Sequence, residues 1–247
     1  MEKEYGKLKF ELTPELRRAI EKSKSEVEDL SKTLQKLALI FQESLKNLPK
    51  SLLILANSGW YISWDTPPGK IQYYAEQIVL NNLNNIDTAI VSDLENNINQ
   101  IESTLINNFP HRKNVLLAAF NAHREKKYYL SIPVFIAQTE GISKEITGYR
   151  FFSQKNFKPV ISEWVSTFQE DSFTRLLLEP LNIINDSRKV QDHSNPNGLN
   201  RHDILHGDCF DYGDNIVNSF KTLSQLYFLG DVVFTLKKDL NNSKYGS

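Results

Sequence analysis

Side chains able to do chemistry crowd one short stretch, Asn200 to Gly213 (NRHDILHGDCFDYG). Its fourteen residues hold two histidines, one arginine, three aspartates and a cysteine. Asn200 is a good helix N-cap, and Asp203 stands three positions on, where a capping-box acid sits. That puts Arg201 in the first turn of a helix. Backbone N–H groups and the positive end of the helix dipole favour a phosphate there. The guanidinium adds a planar fork of donors that matches phosphate oxygens. His206 follows about one and a half turns later, and imidazole exchanges a proton near neutral pH. Arg201 and His206 thus offer the two parts of metal-free RNA cleavage. A base takes the 2′-hydroxyl proton, and a cation stabilises the charged transition state. The structural alternative is an Arg201 paired with an acid and a His206 bonded to a buried carbonyl.

Other chemistries find less. His202 and His206 are four apart, on one helix face, as in helical zinc sites, with Asp203, Asp208 and Cys209 as further ligands. No second Cys/His pair of metal spacing lies elsewhere, so no metal or other cofactor is expected. There is no G-x-S-x-G elbow, no P-loop and no dinucleotide fingerprint. Cys209 as a nucleophile would need a histidine and an oxyanion hole beside it. A segment rich in cations, His111 to Lys127, could follow a phosphate backbone through Arg112, Lys113, Arg124, Lys126 and Lys127. Such a run is more often a solvated face. Trp60, Trp64, Tyr73 and Tyr74 could stack bases, though core packing is their commoner use.

The elements that must position these residues read as helices. Residues 1–12 form a polar lead with a strand expected at 7–12. Thr13 and Pro14 mark a helix start. Leu16, Ile20, Val27, Leu30, Leu34, Leu37, Ile40, Phe41 and Leu45 then recur at helical spacing to about Asn47, where Pro49 should interrupt. Residues 51–58 read as a short apolar helix ending near Gly59, followed by an aromatic run and the loop Asp65 to Gly69. Residues 70–106 read helical with a break near 81–87, and Pro110 ends them. His111 to Lys127 should be an amphipathic helix with both its histidines on polar faces. Tyr128 to Ile142 should be a buried helix, started or kinked by Pro133 and capped by Gly141. Glu140, near its end, is a carboxylate in need of a partner. Residues 143–158 read as a polar insertion, 159–178 as helix or nearly so, and 182–199 as a turn-rich loop. After Asp211 and Tyr212, read as a turn, Asp214 to Leu240 carries apolar residues at helical spacing. The fold class expected is all-α.

The chain has 247 residues with 29 Lys and Arg against 30 Asp and Glu. It is 40% hydrophobic and 24% charged, the balance of a globular protein. A net charge of −1 gives no global basic field to attract nucleic acid. The single cysteine, Cys209, rules out an intrachain disulfide and fits a reducing compartment. The charged N-terminus lacks a signal-peptide core, and the apolar run Leu52 to Ala56 is too short to span a bilayer. A cytoplasmic protein without membrane association is expected.

The segment Asn200-Arg201-His202-x-x-x-His206-Gly207, with a long helix after it and the buried helix Tyr129 to Ile142 (YLSIPVFIAQTEGI) before it, resembles the HEPN superfamily. These are helical-bundle domains of many prokaryotic toxin, abortive-infection and CRISPR-associated ribonucleases. The resemblance covers about residues 111–240. It implies an HEPN-like helical bundle over 111–247, preceded by a helical region over 1–110. It also implies a homodimer that brings two R-x4-H segments together, and metal-independent cleavage of RNA, as in toxins and antiphage effectors. Arg201 would contact the scissile phosphate, His206 would act as general base or acid, and His202 would orient the pair or bind RNA. Glu140 matches no part of the signature and stands as a supporting acid. Some members are inactive and act as binding modules, so a protein partner such as an antitoxin or regulator is the alternative.

Overall fold

Helical periodicity dominates the sequence, and the architecture is all-α. The computed structural model describes residues 13–170, 172–188 and 199–245. Among these residues lie eleven α-helices and a single two-stranded ribbon. The strand expected at 7–12 lies outside them. Two compact units divide the chain at residues 45 and 46, so the boundary expected at 110 falls inside the second unit. There, helices from both sides of that position pack together.

The first unit holds most of α1 (Pro14–Asn57), a helix of 44 residues. Its start is as read from the sequence: Pro14 opens it, and the Leu16 N–H donates to Thr13 Oγ1 at 3.3 Å. The apolar residues from Leu16 to Phe41 are exposed. Pro49 does not interrupt α1. It removes one donor, from the carbonyl of Leu45, but Leu48, Ser51, Leu52, Leu55 and Ala56 bury on the far side within the second unit. That packing outweighs one lost hydrogen bond. Residues 51–57 are therefore the last turns of α1. Gly59, at φ +88°, turns the chain out of it, a conformation that suits a residue without Cβ.

In the second unit, α2 (Pro68–Val79), α3 (Leu83–Asn96) and α4 (Ile98–Asn108) lead to α5 (Lys113–Arg124) and α6 (Tyr128–Thr147). A ribbon of β1 (Gln154–Lys155) and β2 (Lys158–Pro159) follows, paired Gln154 to Pro159 and Lys155 to Lys158. Next come α7 (Ser162–Val165), α8 (Phe173–Leu178) and α9 (Arg201–His206). The last helix runs as α10 (Ile216–Tyr227), a π-helical turn at Phe228–Val233 and α11 (Phe234–Tyr245). The core is α6 packed between α5 and α10, with Leu116, Phe120, Ile132, Phe135, Phe220 and Leu223 at most 1% exposed.

Three expectations change here. Of the two readings of Pro133 the start is excluded, since it lies inside α6, and Gly141 does not end that helix, which runs to Gly148, at φ +84°. Gly141 is small for another reason. A Cβ there would come within 2.9 Å of Arg112 Nη1, and Arg112 must lie across α6 to reach Gln138 at 2.9 Å and Glu145 at 2.8 Å. The span 143–158 is helix end and ribbon rather than a polar insertion, and 159–178 breaks into α7 and α8. Lastly, the final helix is not uniform. Gly230 has no room for a Cβ against Leu105, and Asn108 Nδ2 donates to the Gly230 carbonyl at 2.9 Å. The close approach and the side-chain bond make a π turn tenable.

His123 is a further correction. It is not on a polar face but 5% exposed. Its Nδ1 lies 2.8 Å from Ser219 Oγ, and its ring stands edge-on to Phe220 at 4.6 Å. Burial, with the Arg124 charge adding to it, brings the imidazole pKa down from 6.5 to about 4. The protonated ring is thus disfavoured in the folded chain but not in the unfolded one. The unfolded state binds more protons between these values, so stability falls as pH falls. The contribution is whole above pH 6.5 and is lost on the way down to about pH 4. At about 1.4 kcal/mol per unit it amounts to roughly 3 kcal/mol. Urea unfolding of the native chain and of His123→Gln should therefore differ most near neutral pH and converge on acidification. A difference that stays constant with pH would show that His123 is not held neutral.

Candidate functional site

The candidate stretch folds as its capping residues dictate. Asn200 Oδ1 accepts from the N–H groups of His202 at 2.9 Å and Asp203 at 3.4 Å, and so starts α9. Gly207, at φ +83°, ends it. The Asp203 carbonyl then accepts from the N–H groups of Asp208 at 2.8 Å and Cys209 at 3.1 Å, which folds the chain back across the helix end.

Beyond α9, residues 211–214 form the turn expected of them, closed by the Asp214 N–H on the Asp211 carbonyl at 3.0 Å. Tyr129 of α6 anchors that turn. Its hydroxyl donates to Asp214, and its backbone carbonyl accepts from the Tyr212 hydroxyl at 3.1 Å. Gly213 lies flat on its ring, where a Cβ would sit 2.6 Å from a ring carbon. Asn215 caps α10 through the Val217 N–H at 2.9 Å.

Arg201 and Glu140 meet at a third residue. Glu140 lies within α6, and its Oε2 accepts from the Phe152 N–H at 2.9 Å. The Arg201 Nη2 donates to the Phe152 carbonyl at 3.4 Å, and the guanidinium lies 5.3 Å from the Phe152 ring centre. The two residues thus hold the N–H and the carbonyl of Phe152, which belong to the two peptide groups on either side of it. A neighbour does the same for Phe151. Arg188, 1% exposed, lies over the Phe151 ring at 4.3 Å and donates to the Phe151 carbonyl. It also donates to the Leu181 and Ile183 carbonyls, each at 2.8 Å. Burial lowers the guanidinium pKa, against the nearby Tyr61 and Glu140.

The histidines form a separate pair. The rings of His202 and His206 lie 4.4 Å apart at an interplanar angle of 51°. His206 is exposed and His202 half-buried. Among the described residues no hydrogen bond or ion pair joins Arg201 to His206. Nor do three His, Cys, Asp or Glu side chains gather there as metal ligands. The Cys209 thiol pKa is raised by burial and by Asp211, 3.3 Å from its sulfur, the opposite of what a nucleophile needs.

The cation-rich segment is not the single helix expected over 111–127, since α5 covers only Lys113–Arg124, and several of its cations are satisfied within the chain. Arg112 binds Glu145 and Gln138, Arg124 binds Glu102 and Asn99, and Lys127 pairs with Glu125 at 2.5 Å. Of the aromatic residues, Trp60 is buried and donates to Asp87 at 2.7 Å. Tyr74 is buried too, whereas Trp64 and Tyr73 are exposed.

A second polar centre escaped the sequence reading. A cavity of about 120 Å³ is lined by Ser63, Asp65, Lys70, Tyr74, Asp93 and Tyr227, among others. Tyr227 donates to Asp65 at 2.9 Å, Tyr74 to Asp93 at 2.6 Å, and Ser63 to Asp231 at 3.2 Å. Burial raises Tyr74 to about 12 and holds the Asp231 carboxyl above its ordinary range. These lining residues come from the loop after α1, from α2, from α3 and from the end of α10, with Asp231 of the π turn beside Ser63, so no local spacing could announce the centre. The one local signal was the aromatic run Trp60 to Trp64 leading into Asp65.

No family model, curated protein or solved structure matches this chain.

The grip on Phe152 has a measurable cost. Removing the carboxylate leaves a backbone N–H unpaired, worth roughly 1–3 kcal/mol. Glu140→Ala should lower the urea midpoint accordingly, and Glu140→Gln, which keeps an acceptor oxygen, should lower it much less. Equal effects of the two substitutions would show that the hydrogen bond is not what matters at this position.

Proposed function

We propose that this chain is a metal-independent endoribonuclease of HEPN type, a toxin or antiphage effector, with Arg201 and His206 as its working residues. What supports it is the exposed imidazole of His206 at the end of the same capped short helix that carries Arg201 at its start. In this reading His206 takes the proton of an RNA 2′-hydroxyl, and the oxygen attacks the adjacent phosphorus. The departing 5′-oxygen takes up a proton, and a 2′,3′-cyclic phosphate remains. Arg201 stabilises the extra negative charge on the phosphate oxygens. Its bond to the Phe152 carbonyl is long at 3.4 Å, and a phosphate is the stronger acceptor for a guanidinium. His202, packed at a tilt against His206, restricts the orientation of that ring.

A second reading, a helical module that binds a protein partner, draws on the exposed apolar residues of α1.

Purified protein should cut single-stranded RNA in the presence of a chelator and leave cyclic phosphate ends. General acid–base catalysis is worth about 10²–10⁴-fold, so His206→Ala should slow cleavage by about 100-fold or more. Its urea midpoint should stay unchanged, because the side chain is exposed. Arg201→Ala should slow cleavage as severely and also destabilise the fold slightly through Phe152. Cleavage that survives both substitutions, or that disappears with the chelator alone, would refute the nuclease reading.

A further inference from the structure

The apolar residues of α1 in the first unit follow a heptad rather than a simple helical stripe. Leu16, Ile20, Val27, Leu30, Leu34, Leu37 and Phe41 fall at alternating steps of four and three, with Ser23 filling the single gap. In coiled-coil notation Ile20, Val27, Leu34 and Phe41 occupy a positions, and Leu16, Ser23, Leu30 and Leu37 occupy d positions. A repeat of 3.5 residues keeps one seam on one side only if the helix supercoils with a partner. In this structure the seam is bare: the seven apolar residues are between 37% and 64% exposed. The unit contains no other described element to cover them. A helix of this length draws most of its stability from burying such a face, and an exposed apolar stripe of this extent marks an interface.

We propose that residues 16–41 form a parallel, in-register, two-stranded coiled coil with a second copy of this chain. Two features of the sequence select that occupant. Branched Ile20 and Val27 at two of the four a positions, with Leu16, Leu30 and Leu37 at three of the four d positions, favour parallel pairs over trimers and tetramers, and Leu34 and Phe41 fill the other two a positions. The flanking positions also permit self-pairing. In register, Ala19 lies opposite Lys24 of the second copy, Glu26 opposite Ser31 and Thr33 opposite Ala38, so no like charges meet. Ser23 within the seam weakens the pair without opposing it. The coiled coil does not depend on RNA cleavage and uses none of the residues assigned to it.

Sedimentation equilibrium of the full chain at micromolar concentration should give twice the 28.5 kDa chain mass. The double substitution Leu30→Asp, Leu34→Asp should return the monomer, while Lys32→Glu, on the outer face, should leave the dimer intact. A second experiment fixes the orientation. In a Cys209→Ser background, Leu16→Cys should cross-link the two copies under mild oxidation, because parallel strands place those sulfurs side by side. In an antiparallel pair they would lie roughly 35–40 Å apart. A monomeric native chain, a trimer or larger species, a dimer that survives the double aspartate substitution, or a dimer that fails to cross-link at residue 16 would each overturn the proposal.

Discussion

The Phe151–Phe152 backbone is the constraint on which the candidate site depends. Both residues are at most 1% exposed, so their backbone N–H and carbonyl groups are removed from water and must find partners. They precede the β1–β2 ribbon and have no strand beside them. Side chains therefore do the work: Glu140 from α6, Arg201 from α9 and Arg188 from the segment between α8 and α9. Each lost bond would cost roughly 1–3 kcal/mol, a large fraction of the 5–15 kcal/mol that holds a typical domain together. The short helix α9 is thereby tied to the central helix α6 through a residue, Phe152, that belongs to neither.

That arrangement divides the residues of the candidate stretch by use. Asn200 and Asp203 close the two ends of α9, and Tyr212 to Asp214 lock onto Tyr129. Arg201 is shared between the fold and the open side of the helix. His206 alone of the named residues is exposed with no buried bond to keep. A charged residue that both supports the fold and meets a substrate couples the two. A ligand of Arg201 would share the guanidinium with the Phe152 carbonyl, which engages only Nη2.

Local chemistry was legible wherever a residue acts on its own neighbours. Thr13, Asn200 and the turn at 211–214 follow from short-range hydrogen bonding and stand where the sequence puts them. Punctuation read without packing misled. Pro49 lies inside a helix because the burial that follows it outweighs the missing donor. Gly141 looked like a cap, yet it is a clearance for Arg112, and the left-handed cap is Gly148. The meeting of Glu140 with Arg201 was not legible, since neither touches the other and Phe152 lies between them. His123 was misplaced because the cations around it drew the eye from its helical spacing to Leu116, Ala119 and Phe120, with which it shares the buried face. The cavity below Tyr227 gathers residues from four segments and leaves no trace in spacing.

The π turn at Phe228–Val233 carries a geometric consequence. One extra residue in a turn shifts the phase of everything beyond it by about 100°. The final helix is thus two helices with different facings on one axis. Before the turn, Tyr227 is aimed at the cavity and Asp65; after it, Phe234 meets Phe109 edge-on with ring centres 5.2 Å apart. Asp231 sits where the phase changes, beside Ser63. Chain length in this segment is therefore a measured quantity, unlike that of the surface loops: losing a single residue there would restore a regular helix and swing either Tyr227 or Phe234 away from its partner.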